Sequence, residues 1–336
     1  MNDAQPKIFD GLRAARGCAI LASLLAACGV AQELPPVEAT EPSEDPRVLA
    51  ASPLMSDGAP VPPHLTETVA TSIEMISDGL IGGVAVDGEG NVFNTNFRSS
   101  VWRTAPDGTT ILLNDEFTSA SGNFALDNGD LLQSDWTEHK IYRIRPDGSR
   151  SVFSESGLDG PVGLVQRPQG DFIVANYTGK YLARVPAGGG AAETILEDPS
   201  LQGPNGLTID PRGNIYIADL EHGRVLKWTA QGALLTLAEL PGKGNAHNVY
   251  ANGALYVNKI WDHVIYRVEL DTGAYGVVTG NGRPGYADGL TGTATIEEPN
   301  GIAANRAGDV IYFNTQRGLM FRAPGRVVLR RLTLVE

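Results

Sequence analysis

The sequence predicts an all-β fold, a six-bladed β-propeller of four-stranded antiparallel blades, and three observations predict it. First, a unit made of an apolar strand, a tight glycine turn and a second strand recurs six times. Its turns are Gly90-Asn91, Gly129-Asp130, Gly170-Asp171, Gly213-Asn214, Gly253-Ala254 and Gly308-Asp309. Successive turn glycines stand 39, 41, 43, 40 and 55 residues apart, the length of one propeller blade. Second, two landmarks keep step with the turns. Asn96, Asp135, Asn176, Asp219, Asn258 (one position early) and Asn314 close the second strands, and Arg103, Arg143, Arg184, Lys227, Arg267 and Arg322 fall in the third. Third, the strands are short and alternate with period two, as from Asn214 to Asp219, and no stretch holds a helical apolar period.

Taken in chain order, residues 1–27 read as the signal peptide of a bacterial lipoprotein. Lys7, Arg13 and Arg16 supply the basic region and Cys18 to Ala27 the apolar one, too short to span a bilayer comfortably. Leu25-Ala26-Ala27-Cys28 resembles a lipobox, which makes Cys28 the lipidated residue. Export and lipid anchoring in the cell envelope, with the membrane as one partner, are the expected location. Cys18 would leave with the signal, so the mature chain has no thiol for a disulfide, a nucleophile or a zinc cluster. Residues 28–65 are rich in Pro, Glu and Ala and read as a disordered tether.

Residues 66–336 are then the propeller. Two segments compete for one place, the outer strand that closes the ring: Ser72 to Ile76 before the first repeat, and Arg326 to Leu329 at the end. Composition fits such a domain, with 42% hydrophobic and 19% charged residues, 40 Gly and 21 Pro. The net charge of −13, with no basic run along one face, speaks against nucleic acid as a partner. A monomer is expected.

The stretch Gly280 to Gly289, followed by Ala294 to Ala303, resembles the NHL repeat. Gly203 to Asp219 resembles both that repeat and the gluconolactonase and senescence-marker-protein family, whose enzymes are six-bladed propellers. The resemblance spans about residues 72 to 322 and implies a calcium ion at the mouth of the central channel, held by one Glu and several Asn or Asp from the starts of different inner strands. Oxygen donors converging from several blades suit a hard cation, which can polarise a carbonyl and activate a nucleophile.

Carried over residue by residue, the resemblance makes Asn205, Asn123, Asn245 and Asn300 the candidate metal ligands. Asn205 matches the family's Asn-Gly; Asn123 and Asn245 are each ambiguous by one position; Asn300 is not a usual ligand of the family. Where the family has its Glu, the first blade has Ile81-Gly82-Gly83, leaving Asp78 or Glu297 as loop carboxylates for the missing charge. Asn or Asp beside Gly also serves turns, and this turn role is the expectation for the strand-ending set. His247, near the channel mouth, is the candidate proton carrier. His139 and His222 fall in turns and read as surface residues, and Asp262-His263 point to opposite faces of a strand.

Three functions follow. The first is a calcium-dependent hydrolase of the lactone or ester type, with a small-molecule substrate at the channel mouth. The alternative is a non-catalytic NHL-type scaffold that binds a protein, peptide or glycan there. An amidating lyase ranks last, because it needs several His ligands and only His247 is placed to serve.

Overall fold

The computed structural model describes residues 54–74, 81–317 and 326–334. The signal segment, Cys28 and most of the expected tether lie outside the described residues, as do Asp78 and Arg322. Every regular element among the described residues is a strand, and these form six sheets arranged as six blades.

The inner strands are Val84–Val86, Ala120–Ala125, Pro161–Gln166, Pro204–Ile209, Asn245–Ala251 and Ile302–Ala304. Each contacts the next around a closed ring, and the sixth contacts the first. From each, the chain turns back through one of the six predicted glycine turns. Gly90 and Gly213, both at φ 83°, show why glycine stands there: the turn needs left-handed backbone.

Period-two alternation gives every second strand two apolar faces, one for each neighbouring blade. Leu131 packs against Phe93 of blade one, while its neighbour Leu132 packs against Phe172 of blade three. The same exchange continues around the ring, with Ile173 and Ile217 between blades three and four, Tyr216 and Leu255 between four and five, and Tyr256 and Phe313 between five and six. Val84 and Leu329 bridge blades one and six. Each large apolar side chain so buried contributes roughly 1.5–3 kcal/mol, so the core is divided among six joints.

Blade six uses both closing candidates. Arg326–Leu334 is its third strand, and His64–Glu74 pairs antiparallel with it as the outer strand. The two ends of the domain are therefore hydrogen-bonded to each other. The register also corrects two landmarks. Five second-strand residues face the basic residue of the third strand, as in Phe93↔Arg103 and Tyr256↔Arg267. In blade six the pair is Tyr312↔Arg331, so Arg331 holds the place expected for Arg322. Likewise Thr315, and not Asn314, matches Asn96, Asp135, Asn176 and Asp219.

Those four do serve turns. Asp135 accepts the N–H groups of Thr118, Ser119, Thr137 and Glu138, and Asn96 those of Arg98 and Ser100. Three of the basic residues are ion-pair partners: the partly buried Arg143 with Asp130 and Arg184 with Asp171, and the exposed Arg331 with Glu67.

Order begins earlier than residue 66. Met55 and Val61 are buried in the core shared by blades five and six, and Ser56 bonds Tyr275 through its N–H (2.6 Å) and its hydroxyl (3.0 Å). The last part of the expected tether is thus a clasp over the outer strand of blade five.

Two predictions follow from this architecture. A Cβ on Gly163 would lie 2.4 Å from the Asn205 carbonyl oxygen, whereas nothing lies within 4 Å of one on Gly188. Gly163→Ala is expected to cost about 1–3 kcal/mol in urea unfolding, and Gly188→Ala to leave the midpoint unchanged. Removing residues 1–74, and with them the clasp and the outer strand of blade six, is expected to lower the thermal midpoint by several degrees; an unchanged midpoint would show that the ring closes without them.

Candidate functional site

All inner strands enter the ring from the same end, the end that also carries the turns between second and third strands. That end is the channel mouth. Just below it the inner strands approach so closely that a side chain is excluded. Ideal Cβ atoms on Gly83, Gly122, Gly163, Gly206 and Gly301 would fall 2.8, 2.3, 2.4, 2.4 and 2.5 Å from backbone atoms of the next blade. The sixth place in this ring, in blade five, is His247. All six positions are described, and it alone carries a side chain.

The joint that His247 faces, between blades five and six, also holds the fifteen or so extra residues that make the last repeat spacing 55. They include the NHL-like loop, whose Ile296 packs among Tyr256 and Ile265 of blade five and Phe313 and Leu332 of blade six. Gly289-Leu290 pairs with Leu65-Thr66, and the fully buried Arg330 donates to the carbonyls of Thr295 and Ala287 and to Asp288. The insertion is therefore a wedge in this joint.

The sequence-predicted residues separate into two groups. Asn205 is 8% exposed at the mouth and its side chain takes no hydrogen bond among the described residues. Asn123 lies two places deeper in register, and both its amide atoms are buried without a partner there. The other two amides are engaged. Asn245 donates to the Arg224 carbonyl (3.0 Å) and accepts the Lys259 ammonium (3.2 Å), while Asn300 donates to the Ile81 carbonyl. The Lys259 charge, fully buried, stands where Asn245 would otherwise offer its oxygen to a cation. The donor set thus does not fit calcium as one site: the two free amides lie at different depths and the other two are engaged, while Asp78, one of the two carboxylates expected to make up for the missing Glu, lies outside the described residues. Among the described residues no three His, Cys, Asp or Glu are grouped to hold a metal.

Residues that the sequence reading passed over surround this mouth. Lys259 also donates to the Gly242 carbonyl at 2.8 Å, and burial draws its pKa down to about 8 against the opposing pull of Asp262. Glu298 is 8% exposed, and burial together with neighbouring Glu297 raises its carboxyl to about 7. Burial alone lowers His247 to about 4, so its imidazole is neutral at ordinary pH. Across the channel, Phe97, Trp136 and Tyr177 follow the second strands of blades one to three, with the first two rings 6.3 Å apart. The Tyr177 hydroxyl donates to Glu221 at 2.6 Å. The mouth is aromatic on one side and ionisable on the other.

His139 and His222, read as turn residues, have turn positions, and so does His263. His139 accepts the Gly160 N–H (2.8 Å), and His263 accepts the Glu298 N–H (3.1 Å) in the equivalent place; His222 lies 3.9 Å from Asp219 and is exposed. Contrary to expectation, Asp262 and His263 are not opposed strand residues, because His263 sits at a turn with φ 56°.

Comparison with known proteins agrees with this architecture. The NHL-repeat family model matches residues 201–228, the first three strands of blade four. No curated protein matches the chain. Among solved structures, a gluconolactonase from Xanthomonas campestris superposes with a TM-score of 0.61 at 14% identity, covering 85% of this chain and 98% of that one. Regucalcin from Agrobacterium tumefaciens, described as a calcium-binding protein, gives 0.57 at 11%, covering 79% and 96%. A catalytically inactive histidine-to-alanine form of virginiamycin B lyase from Staphylococcus aureus, solved with quinupristin, gives 0.57 at 15%, covering 80% and 100%. The chain is a six-bladed β-propeller with an NHL repeat in its fourth blade, sharing its fold with gluconolactonase, regucalcin and streptogramin-lyase propellers.

Proposed function

We propose that this is an exported, envelope-anchored propeller that hydrolyses a small lactone or ester at its channel mouth. The observation that carries the reading is the concentration of displaced ionisable groups on one side of the mouth: His247 lowered to about 4, Lys259 to about 8 and Glu298 raised to about 7. Groups held away from their ordinary values by burial gather at reactive sites, and acyl transfer to water needs such groups. One must take a proton from water, and N–H donors must face the oxygen that becomes negative. The Asn205 amide is a free donor at the mouth, and the aromatic arc of Phe97, Trp136 and Tyr177 offers an apolar wall for the rest of a substrate.

The calcium-dependent form of this reading rests on Asn205 and Asn123 alone. The binding-scaffold reading is favoured by the same aromatic arc, since rigid aromatic side chains anchor partners at little entropic cost. One set of measurements on the purified mature protein separates the three. Saturable turnover of aliphatic lactones or nitrophenyl esters, unchanged by chelator, is the expected result. Turnover that needs added calcium and is lost in Asn205→Ala supports the metal-dependent form. No turnover of any member of the panel overturns the hydrolase reading, and binding to peptide or glycan arrays then decides for the scaffold. Anchoring is tested separately: labelled palmitate is expected in the wild-type protein and absent from Cys28→Ala, and an unlabelled wild type would overturn the anchor.

A further inference from the structure

The joint between blades five and six differs from its counterparts in blades three and five at a single corner of the mouth. Three residues before each ring position, blades three and five carry glycine on left-handed backbone, Gly160 at φ 64° and Gly244 at φ 100°. Blade six has Glu298 there, at φ 47°, a conformation that a residue with a side chain adopts only when its surroundings enforce it. The equivalence is fixed by hydrogen bonds, since His263 receives the N–H of Glu298 as His139 receives that of Gly160.

Around Glu298 the polar valences are unspent. Its Oε2 is buried without a partner among the described residues, as are Asn258 Oδ1 and Thr315 Oγ1, and both of those residues are fully buried. Asn258 is pinned to this corner because its Nδ2 donates to the carbonyls of Asn300 (2.8 Å) and Gly301 (3.1 Å). Thr315 lies between Asn314, whose Oδ1 accepts the Gly301 N–H (2.7 Å), and Gln316, whose N–H goes to the Glu297 carbonyl (3.0 Å). His247 faces the same joint from the inner strand of blade five. Buried polar atoms left open in this way are the usual setting of a bound water, which needs two to four such partners.

We propose that this corner holds the attacking water of the hydrolysis, with Glu298 as the group that takes its proton and Asn258 and Thr315 as the oxygens that orient it. The assignment rests on the hydrolase reading above. Water gives one proton to Glu298 Oε2 while its oxygen bonds the carbonyl carbon. As the tetrahedral species collapses, the bond from that carbon to the alkoxide oxygen breaks and Glu298 returns the proton to it, so ester and water become acid and alcohol with no other reactant. The ionisable groups that bear on Glu298 are Glu297, whose carboxylate receives the Tyr286 hydroxyl, and His263, which accepts the Glu298 N–H and is itself acted on by Asp262. The Glu298 carboxyl takes a proton only when it is ionised, so the rate falls toward acid pH. A carboxyl raised from 4.5 stabilises the fold when protonated, fully below 4.5, and that contribution is lost as pH rises through about 7.

The test compares Glu298→Gln and Glu298→Gly in the full mature protein. Both are expected to lower kcat by at least about 100-fold with KM within about two-fold, and to lose the acid limb of the pH profile. Glycine is the residue that blades three and five use at this backbone angle, so Glu298→Gly is expected to melt at or above the wild-type temperature, a result that a structural role for the side chain would not give. Glu297→Gln, which removes the neighbouring negative charge, is expected to shift the acid limb to lower pH. Wild-type kcat and pH profile in Glu298→Gly overturn this assignment while the hydrolase reading stands. Absence of hydrolysis in the wild type overturns both.

Discussion

The structure depends on how closely six backbones approach around one axis. At the ring below the channel mouth the inner strands leave no room for a Cβ, and five glycines meet that demand. The closeness has two effects. It fixes the radius at which six sheets can meet, and so how far their faces diverge outward and how large the side chains of each joint must be. It also excludes side chains from the ring itself, where His247 is the one that remains among the six positions.

Outside that ring, each blade depends on its neighbours. A single four-stranded sheet exposes two apolar faces and buries neither, and the alternation of Leu131 with Leu132 shows one strand serving two joints at once. Such an arrangement is stable only when the circle is complete, which is why the first described strand, His64–Glu74, is the fourth strand of the last blade and is paired along much of its length with Arg326–Leu334. Polar side chains reinforce the joints. Thr95, Asn258 and Asn314 occupy the same place on their second strands, and each reaches a backbone carbonyl of the following blade.

Most of this fold was legible in the sequence because glycine turns and period-two strands are local signals. The errors arose where register depends on a partner strand. Arg322 gave way to Arg331 because the third strand of blade six begins only at Arg326, and Asn314 to Thr315 because spacing along the chain cannot show which residue faces which. The two closing segments looked like rivals since sequence does not reveal that a blade can draw its third strand from one end of the chain and its outer strand from the other. The site was less legible. Asn205 lies at the mouth with its amide unbonded, whereas Asn245 and Asn300 are taken up by Arg224, Lys259 and Ile81, and nothing in the sequence separates an engaged amide from an open one. Lys259 and Glu298 carry no motif. The first is notable for its burial and the second for its backbone angle, and both are properties of the assembled ring.

The position of the first strand has a mechanical consequence. A pull on the N-terminal side of the domain arrives first at the clasp of Met55, Ser56 and Val61 on blade five, and only then at His64–Glu74. That strand runs antiparallel to its neighbour, so traction along its axis loads its crosswise hydrogen bonds together and not one after another. Shear of this kind resists far more than peeling does. A propeller hung from this end can bear tension without opening, with the clasp yielding first and the ring staying shut.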